Sequence, residues 1–154
     1  MFASGTGGTQ AGIIHAINSL ELPHTHALGV SVAREAARGR AVIDESLTEV
    51  GVGHLEVNFI DDYMGGGYGK PAPGAEEAIT FASRRGLMLD PTYTGKAFNG
   101  LLGMLKSGRI PKGKRVLFWH TGGEFLATQP LPRASGLRTP TRSPECGAAT
   151  ERDS

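Results

Sequence analysis

The sequence predicts an α/β domain in which a parallel sheet is covered by helices on both faces. Short apolar runs that are typical of buried strands alternate along the chain with segments of helical periodicity. Polar segments that contain glycine follow several of the predicted strands, and ligands of parallel sheets bind outside the carboxyl ends of the strands. The 154 residues are enough to bury a hydrophobic core. We therefore expect one domain, over residues 1–123, built around this sheet.

Four segments are predicted to be helical, because apolar residues recur on one face at helical spacing. They are residues 13–20, 34–50, 75–86 and 94–107. The expected inward-facing residues are Ile13, Ile14, Ile17, Leu20, Ile43, Leu47, Val50, Ala75, Ala78, Ile79, Ala82, Ala97, Leu101, Met104 and Leu105. Short apolar or alternating runs predict strands at 2–3, 27–33, 55–60, 87–89 and 116–119. Residues 64–74 hold five glycines and two prolines and are predicted to form a loop.

The segment Ser4–Gly12 is the strongest candidate for a binding site. Four of its nine residues are glycine, which leaves backbone N–H groups uncovered, and Thr6 and Thr9 add hydroxyl donors. A donor-rich loop that opens onto a helix N-terminus is typical of an anion site, usually for phosphate. A flexible turn is the alternative, and these residues alone do not separate the two. The loop matches neither common nucleotide motif, because Gln10 interrupts Gly-x-Gly-x-x-Gly and no Gly-Lys-Ser/Thr follows.

Composition excludes several classes of protein. The 16 Lys and Arg residues balance 15 Asp and Glu residues, so no nucleic-acid partner is expected. No apolar run is long enough for a membrane helix. The single cysteine, Cys146, excludes an intrachain disulfide and favours a reducing, cytoplasmic compartment. The histidines and acidic pairs lack metal-ligand spacing, so no metal is predicted. Residues 124–154 are rich in Pro, Ser, Thr and Arg and are predicted to be a divergent, disordered tail.

Four motifs in this order resemble one known family. They are ASGTGGTQAG at 3–12, GYGKP at 67–71, LDPTYTGKA at 89–97 and VLFWHTGG at 116–123. Together they look like the C-terminal half of the D-cysteine desulfhydrase and 1-aminocyclopropane-1-carboxylate (ACC) deaminase family. Members of this family are pyridoxal-phosphate enzymes of the tryptophan synthase β-like fold, also called fold type II. The resemblance covers residues 2–123, and the tail departs from it.

The resemblance implies a role for each motif. The opening loop would hold the phosphate of pyridoxal 5′-phosphate through the backbone and hydroxyl groups of Gly5, Thr6, Gly7, Gly8 and Thr9. Thr121 would place its hydroxyl at the pyridine nitrogen. Tyr93 and Tyr68 would face the substrate as catalytic phenols, with half-buried aromatic packing as the alternative. Thr94 would lie near the ring, where the deaminase branch typically carries Glu and desulfhydrase-like members carry Thr.

The implied activity is elimination of thiol from D-cysteine, which yields pyruvate and ammonia, in an enzyme that is a homodimer at full length. ACC deamination is the alternative within the family. A non-catalytic module that binds a phosphate ligand and a non-functional truncated product are the alternatives of another class. The family's Schiff-base lysine precedes the phosphate loop, and no lysine here matches it, so the chain is expected to lack an N-terminal half and to be inactive alone. Lys96 is expected to have a structural role, by capping or pairing at a helix start.

Overall fold

The computed structural model describes residues 1–53 and 55–122. Within these ranges, three strands form a parallel sheet: β1 (Phe2–Ser4), β2 (Leu28–Ser31) and β3 (Asn58–Ile60). Four helices accompany them: α1 (Gly8–Ser19), α2 (Ala36–Glu49), α3 (Ala75–Ser83) and α4 (Thr94–Lys106). The predicted α/β class with a parallel sheet is confirmed.

Helices cover both faces of the sheet, as predicted. Phe2 on β1 and Phe59 on β3 both pair with Gly29 of β2, and their rings are buried on the face covered by α1 and α2. Val30 of β2 faces the other side, where a Cβ on Gly100 of α4 would lie 3.3 Å from both Val30 methyl carbons. The backbone of α4 therefore lies directly against the sheet, and α3 packs on α4.

On the first face, two glycines make room for large side chains. Gly39 of α2 lies against the ring of Phe59, where any Cβ would overlap the aromatic carbons. Gly29 lies against the carboxamide of Gln10, which is fully buried and donates from Nε2 to the Asn58 carbonyl at 2.7 Å. The residue that interrupts the nucleotide motif is thus part of the contact between α1 and the sheet.

Residues 116–119 extend the sheet beside β1, although they form no regular strand. The Met1 nitrogen donates to the Leu117 carbonyl at 2.8 Å, and the Trp119 N–H donates to the Met1 carbonyl at 2.8 Å. This is the bonding pattern of a parallel pair. The expectation of a buried strand here is wrong, because Leu117 is 69% exposed and Trp119 is 49% exposed. Within the described residues, this segment has the sheet on one side only.

Other sequence predictions need correction. Residues 87–89 form no strand, since the Leu87 N–H bonds back to the Ala82 carbonyl as α3 ends. β3 begins only at Asn58, opposite the first residue of β2, and Leu55 and Val57 pack against the core before it. The last residue of three predicted inward faces is exposed, because each lies at or near a helix end: Leu20, Val50 and Leu105. The predicted tail, 124–154, lies outside the described residues.

Among the described residues, no helix has the length and apolar character that crossing a membrane requires.

Candidate functional site

The predicted phosphate loop connects β1 to α1 at the carboxyl edge of the sheet. Gly7 precedes α1 with a φ of 98°, a left-handed conformation that favours glycine. No side chain caps the helix, so its first-turn N–H groups remain open to an anion. Thr6, Gly8 and Thr9 are all exposed. The loop therefore offers backbone and hydroxyl donors to a ligand at this edge.

Arg34 fixes the carbonyl side of this loop. Its guanidinium donates to the Gly5 carbonyl. The backbone of Arg34 is held in turn by Ser31 at the end of β2, whose hydroxyl accepts the Arg34 N–H at 2.9 Å and donates to the Arg34 carbonyl at 2.6 Å. The end of β2 thus orients the glycine loop.

The two predicted catalytic phenols lie together beside the loop. The hydroxyl oxygens of Tyr68 and Tyr93 are 2.6 Å apart, and the rings meet edge to face with centroids 5.7 Å apart. A Cβ on Gly5 would lie 3.9 Å from Cε1 of Tyr93, so the pair borders the glycine loop. The hydrogen bond with Tyr68, together with burial and nearby negative charge, raises the pKa of Tyr93 to about 12. Tyr68 is 61% exposed, which leaves the pair open to a small molecule.

Asp90 builds the turn that carries Tyr93, and the sequence prediction assigned it no role. Its fully buried carboxylate accepts three backbone N–H groups, from Thr92 at 2.8 Å, Tyr93 at 2.6 Å and Thr94 at 2.9 Å. It also accepts the Thr94 hydroxyl at 2.7 Å, while the Asp90 N–H donates to that same hydroxyl at 2.9 Å. An acceptor side chain just before a helix is the signal that could have identified it.

Thr94 is buried, and its hydroxyl bonds to Asp90 both as donor and as acceptor. In the structure, the Thr94 hydroxyl therefore stabilises this turn. A role near the cofactor ring stays a prediction.

Lys96 is buried on the first turn of α4, and it contacts segments other than its own helix. Its Nζ donates to the carbonyls of Val32 at 3.2 Å, Met64 at 2.8 Å and Gly67 at 2.6 Å. Burial lowers the pKa of Lys96, and the negative charge of Asp90 opposes that shift. The expected capping or pairing at the helix start is not what the structure shows, because the partners of Nζ are carbonyls just after β2 and in the 64–74 loop.

Thr121 is exposed. It follows His120, whose Nε2 lies 2.8 Å from the Met88 carbonyl. The bonds of Leu117 and Trp119 to Met1 pair the neighbouring segment in parallel with β1. A role of Thr121 at the cofactor ring stays a prediction.

Comparison with known proteins identifies the family. Residues 1–122 match the family described as pyridoxal-phosphate dependent enzyme. The chain belongs to this family. The predicted resemblance is confirmed, and with it the fold type II class. A pyridoxal-phosphate dependence of the family is likewise confirmed.

Individual relatives of this pyridoxal-phosphate family member are similar over the same part of the chain. D-cysteine desulfhydrase of Yersinia enterocolitica is 39% identical over 128 residues, which cover 79% of this chain and 38% of that protein. D-cysteine desulfhydrase of Salmonella paratyphi C is 37% identical over the same shares. A crystal structure of an ACC deaminase homologue is 34% identical and matches with a TM-score of 0.65, again over 79% of this chain and 38% of that one. The chain thus spans 38% of the length of these relatives.

The residues at the loop fit a phosphate ester. The Ser4 hydroxyl, directly before the loop, is buried and has no hydrogen-bond partner among the described residues. A Cβ on Gly8 would meet nothing within 4 Å, so the start of α1 is sterically open. Open backbone donors at a helix N-terminus match the geometry and charge of phosphate oxygens. A phosphate group held here would border the Tyr93 ring through Gly5.

Proposed function

We propose that this chain forms the phosphate-binding and tyrosine-bearing part of a pyridoxal-phosphate-dependent lyase of the D-cysteine desulfhydrase type. The observation that carries the proposal is the Tyr68–Tyr93 pair beside the glycine loop. The desulfhydrase relatives support the choice of substrate class. The reaction would eliminate hydrogen sulfide from D-cysteine, and water would convert the remaining carbon skeleton to pyruvate and ammonia.

The glycine loop would hold the phosphate of the cofactor. The proposed ligands are the N–H groups and hydroxyls of Gly5, Thr6, Gly7, Gly8 and Thr9, which line the open start of α1. The Arg34 guanidinium binds the Gly5 carbonyl, and the N–H and hydroxyl donors of the loop are left for the anion. Thr121 would donate to or accept from the pyridine nitrogen through its exposed hydroxyl.

When bound, pyridoxal phosphate supplies a ring that withdraws electrons from the substrate's α-carbon. The phenols of this chain would bind the substrate carboxylate and move protons beside it. A phenol is protonated at neutral pH, and the rise of the Tyr93 pKa to about 12 makes its hydroxyl a weaker acid, which would bind the carboxylate by donating a hydrogen bond. Tyr68 is the more exposed phenol and would meet the substrate first.

ACC deamination is a second candidate, favoured by the matching structure of an ACC deaminase homologue. Thr94 argues for the desulfhydrase, since the resemblance implies Glu at this position in the deaminase branch. A carboxylate there would share the buried turn with Asp90. We also propose a homodimer for the full-length protein, as the resemblance implies, and a cytoplasmic location, as the single Cys146 favours.

The decisive experiment replaces the matching segment of the Yersinia enterocolitica desulfhydrase with residues 1–122 of this chain. The chimera should release sulfide from D-cysteine, and Tyr93→Phe should reduce this release strongly. L-cysteine and ACC are the competing substrates. Preferred turnover of ACC would favour the deaminase instead. A folded chimera that binds pyridoxal phosphate but converts none of the three would favour a non-catalytic binding module, and one that does not bind it would favour a non-functional product.

A further inference from the structure

We propose that Lys96 is a positioning residue, which clamps the loop carrying Tyr68 to the helix turn carrying Tyr93 and so sets the contact between the two phenols. The inference rests on the proposed function, because it concerns how these two side chains are held.

The first step is the geometry at Nζ. An ammonium group has three N–H donors, and three carbonyl oxygens lie within 3.2 Å of Nζ. One carbonyl belongs to Val32, just after β2, and the other two belong to Met64 and Gly67 in the loop. Burying a charge is costly unless it is well bonded, so an ammonium here is explained by the carbonyls that it satisfies.

The second step is the connection to Tyr68. Gly67, which gives the shortest contact at 2.6 Å, is bonded covalently to Tyr68. The loop's own turn bonds are long, with Gly67 N–H to Met64 carbonyl at 3.4 Å and Lys70 N–H to Gly67 carbonyl at 3.2 Å. Gly67 has a φ of 103°. Because glycine adopts positive and negative φ about equally well, the residue itself does little to hold this conformation. Lys96 is therefore the strongest described anchor at this point of the loop.

The third step is the connection to Tyr93. Lys96 lies on the first turn of α4, where the Ala97 N–H donates to the Tyr93 carbonyl at 3.1 Å. Asp90 fixes the same turn through its bonds to the N–H groups of Tyr93 and Thr94. Lys96 and Tyr93 thus belong to one rigid unit. When the Lys96 ammonium on that unit binds the Gly67 carbonyl, it holds the Tyr68 hydroxyl 2.6 Å from the Tyr93 hydroxyl.

The test compares Lys96→Met with Lys106→Met in the complete 154-residue chain. Lys106 is an exposed lysine at the end of the same helix and controls for loss of a charge on α4. Nuclear Overhauser contacts between the ring protons of Tyr68 and Tyr93 are recorded by NMR at neutral pH. In the parent chain the two rings, which meet edge to face with centroids 5.7 Å apart, should show these contacts. In Lys96→Met the contacts should be lost, whereas in Lys106→Met they should remain.

Two results would overturn the proposal. The first is a folded Lys96→Met chain that keeps the contacts between the Tyr68 and Tyr93 rings, since a residue that only fills space would leave the phenol pair intact. The second needs no variant and covers the case in which Lys96→Met fails to fold. In the parent chain, the backbone N–H groups of Gly67 and Lys70 should exchange hydrogen with water no faster than those of α4. Exchange at the rate of an unprotected turn would contradict the clamp. Neither measurement involves cofactor or substrate, so failure here is distinct from failure of the chimera to turn over D-cysteine.

Discussion

The hydroxyl oxygens of Tyr68 and Tyr93 lie 2.6 Å apart, although 25 positions of sequence separate the two residues. At that distance the two hydroxyls form a short hydrogen bond, and this bond is the largest cause of the raised pKa of Tyr93. The pair is therefore a pH-dependent link between a loop and a helix.

This link predicts how stability depends on alkaline pH. The pKa of Tyr93 is raised from 10.0 in the unfolded chain to about 12 in the folded chain. The folded chain thus holds the proton more tightly, so the stabilisation is complete below pH 10 and is lost as pH rises toward about 12. Tyr68→Phe should flatten this loss, as measured by urea unfolding across the same window. Tyr63→Phe is the matched control, and an equal flattening in that variant would contradict the assignment.

Asp90 should be among the most sensitive positions for stability. Asp90→Ala removes the acceptor of three backbone N–H groups and one hydroxyl in a buried turn, so the free energy of unfolding should fall by about 3–5 kcal/mol. Asp62→Ala is the control. Asp62 pairs with Arg109 at 3.2 Å on the surface, and its loss should cost about 0–1 kcal/mol. Similar costs for the two variants in urea unfolding would refute the role given to Asp90.

Thr94 gives a graded series at the same turn. Thr94→Ser keeps the hydroxyl that bonds to Asp90 and should be tolerated, whereas Thr94→Val should cost about 1–3 kcal/mol. Thr94→Glu should cost more, about 3 kcal/mol or above, because it brings a second carboxylate to the fully buried Asp90. Thermal unfolding ranks the series. If Thr94→Val melts at the same temperature as Thr94→Ser, the hydroxyl does not hold this turn.

The hydroxyls of the glycine loop should contribute to phosphate affinity and little to folding. Thr6 and Thr9 are exposed, so Thr6→Val and Thr9→Val should leave the melting temperature nearly unchanged. Each should weaken pyridoxal phosphate binding by about 5–10-fold, the effect of one hydrogen bond of about 1 kcal/mol. Calorimetric titration measures this, with Thr25→Val as an exposed control outside the loop. Unchanged affinity for pyridoxal phosphate in both loop variants would mean that the phosphate binds elsewhere.

The sequence predicted the parallel sheet and all four helices because each element depends mainly on local apolar spacing. The same reasoning failed at 87–89 and at 116–119. An apolar run indicates a strand only if a partner strand is within reach, and the run itself carries no information about that partner. At 116–119 the backbone pairs with Met1, but the described residues supply nothing to cover Leu117 or Trp119.

The candidate site was predictable where side chains or glycines form a recognisable motif, as in the loop at Gly5–Thr9. Its supporting contacts were not, because they join a side chain to distant backbone carbonyls. Lys96 bonds to Val32 across 64 positions, and Arg34 bonds to Gly5 across 29. A backbone carbonyl is present at every residue, so no pattern of residue types marks which one a lysine or arginine will reach.

The contact between Gln10 and Gly29 has a consequence for how proteins with this sheet can diverge. Any Cβ at position 29 would overlap the carboxamide of Gln10, and Gln10 in turn bonds to the carbonyl of Asn58 on the next strand. A side chain at 29 would therefore displace this carboxamide and break its bond to the Asn58 carbonyl. The two positions should change together during evolution, with a small residue at 10 wherever 29 is no longer glycine. The helix that follows the binding loop is in this way linked through Gln10 to the middle strand of the sheet.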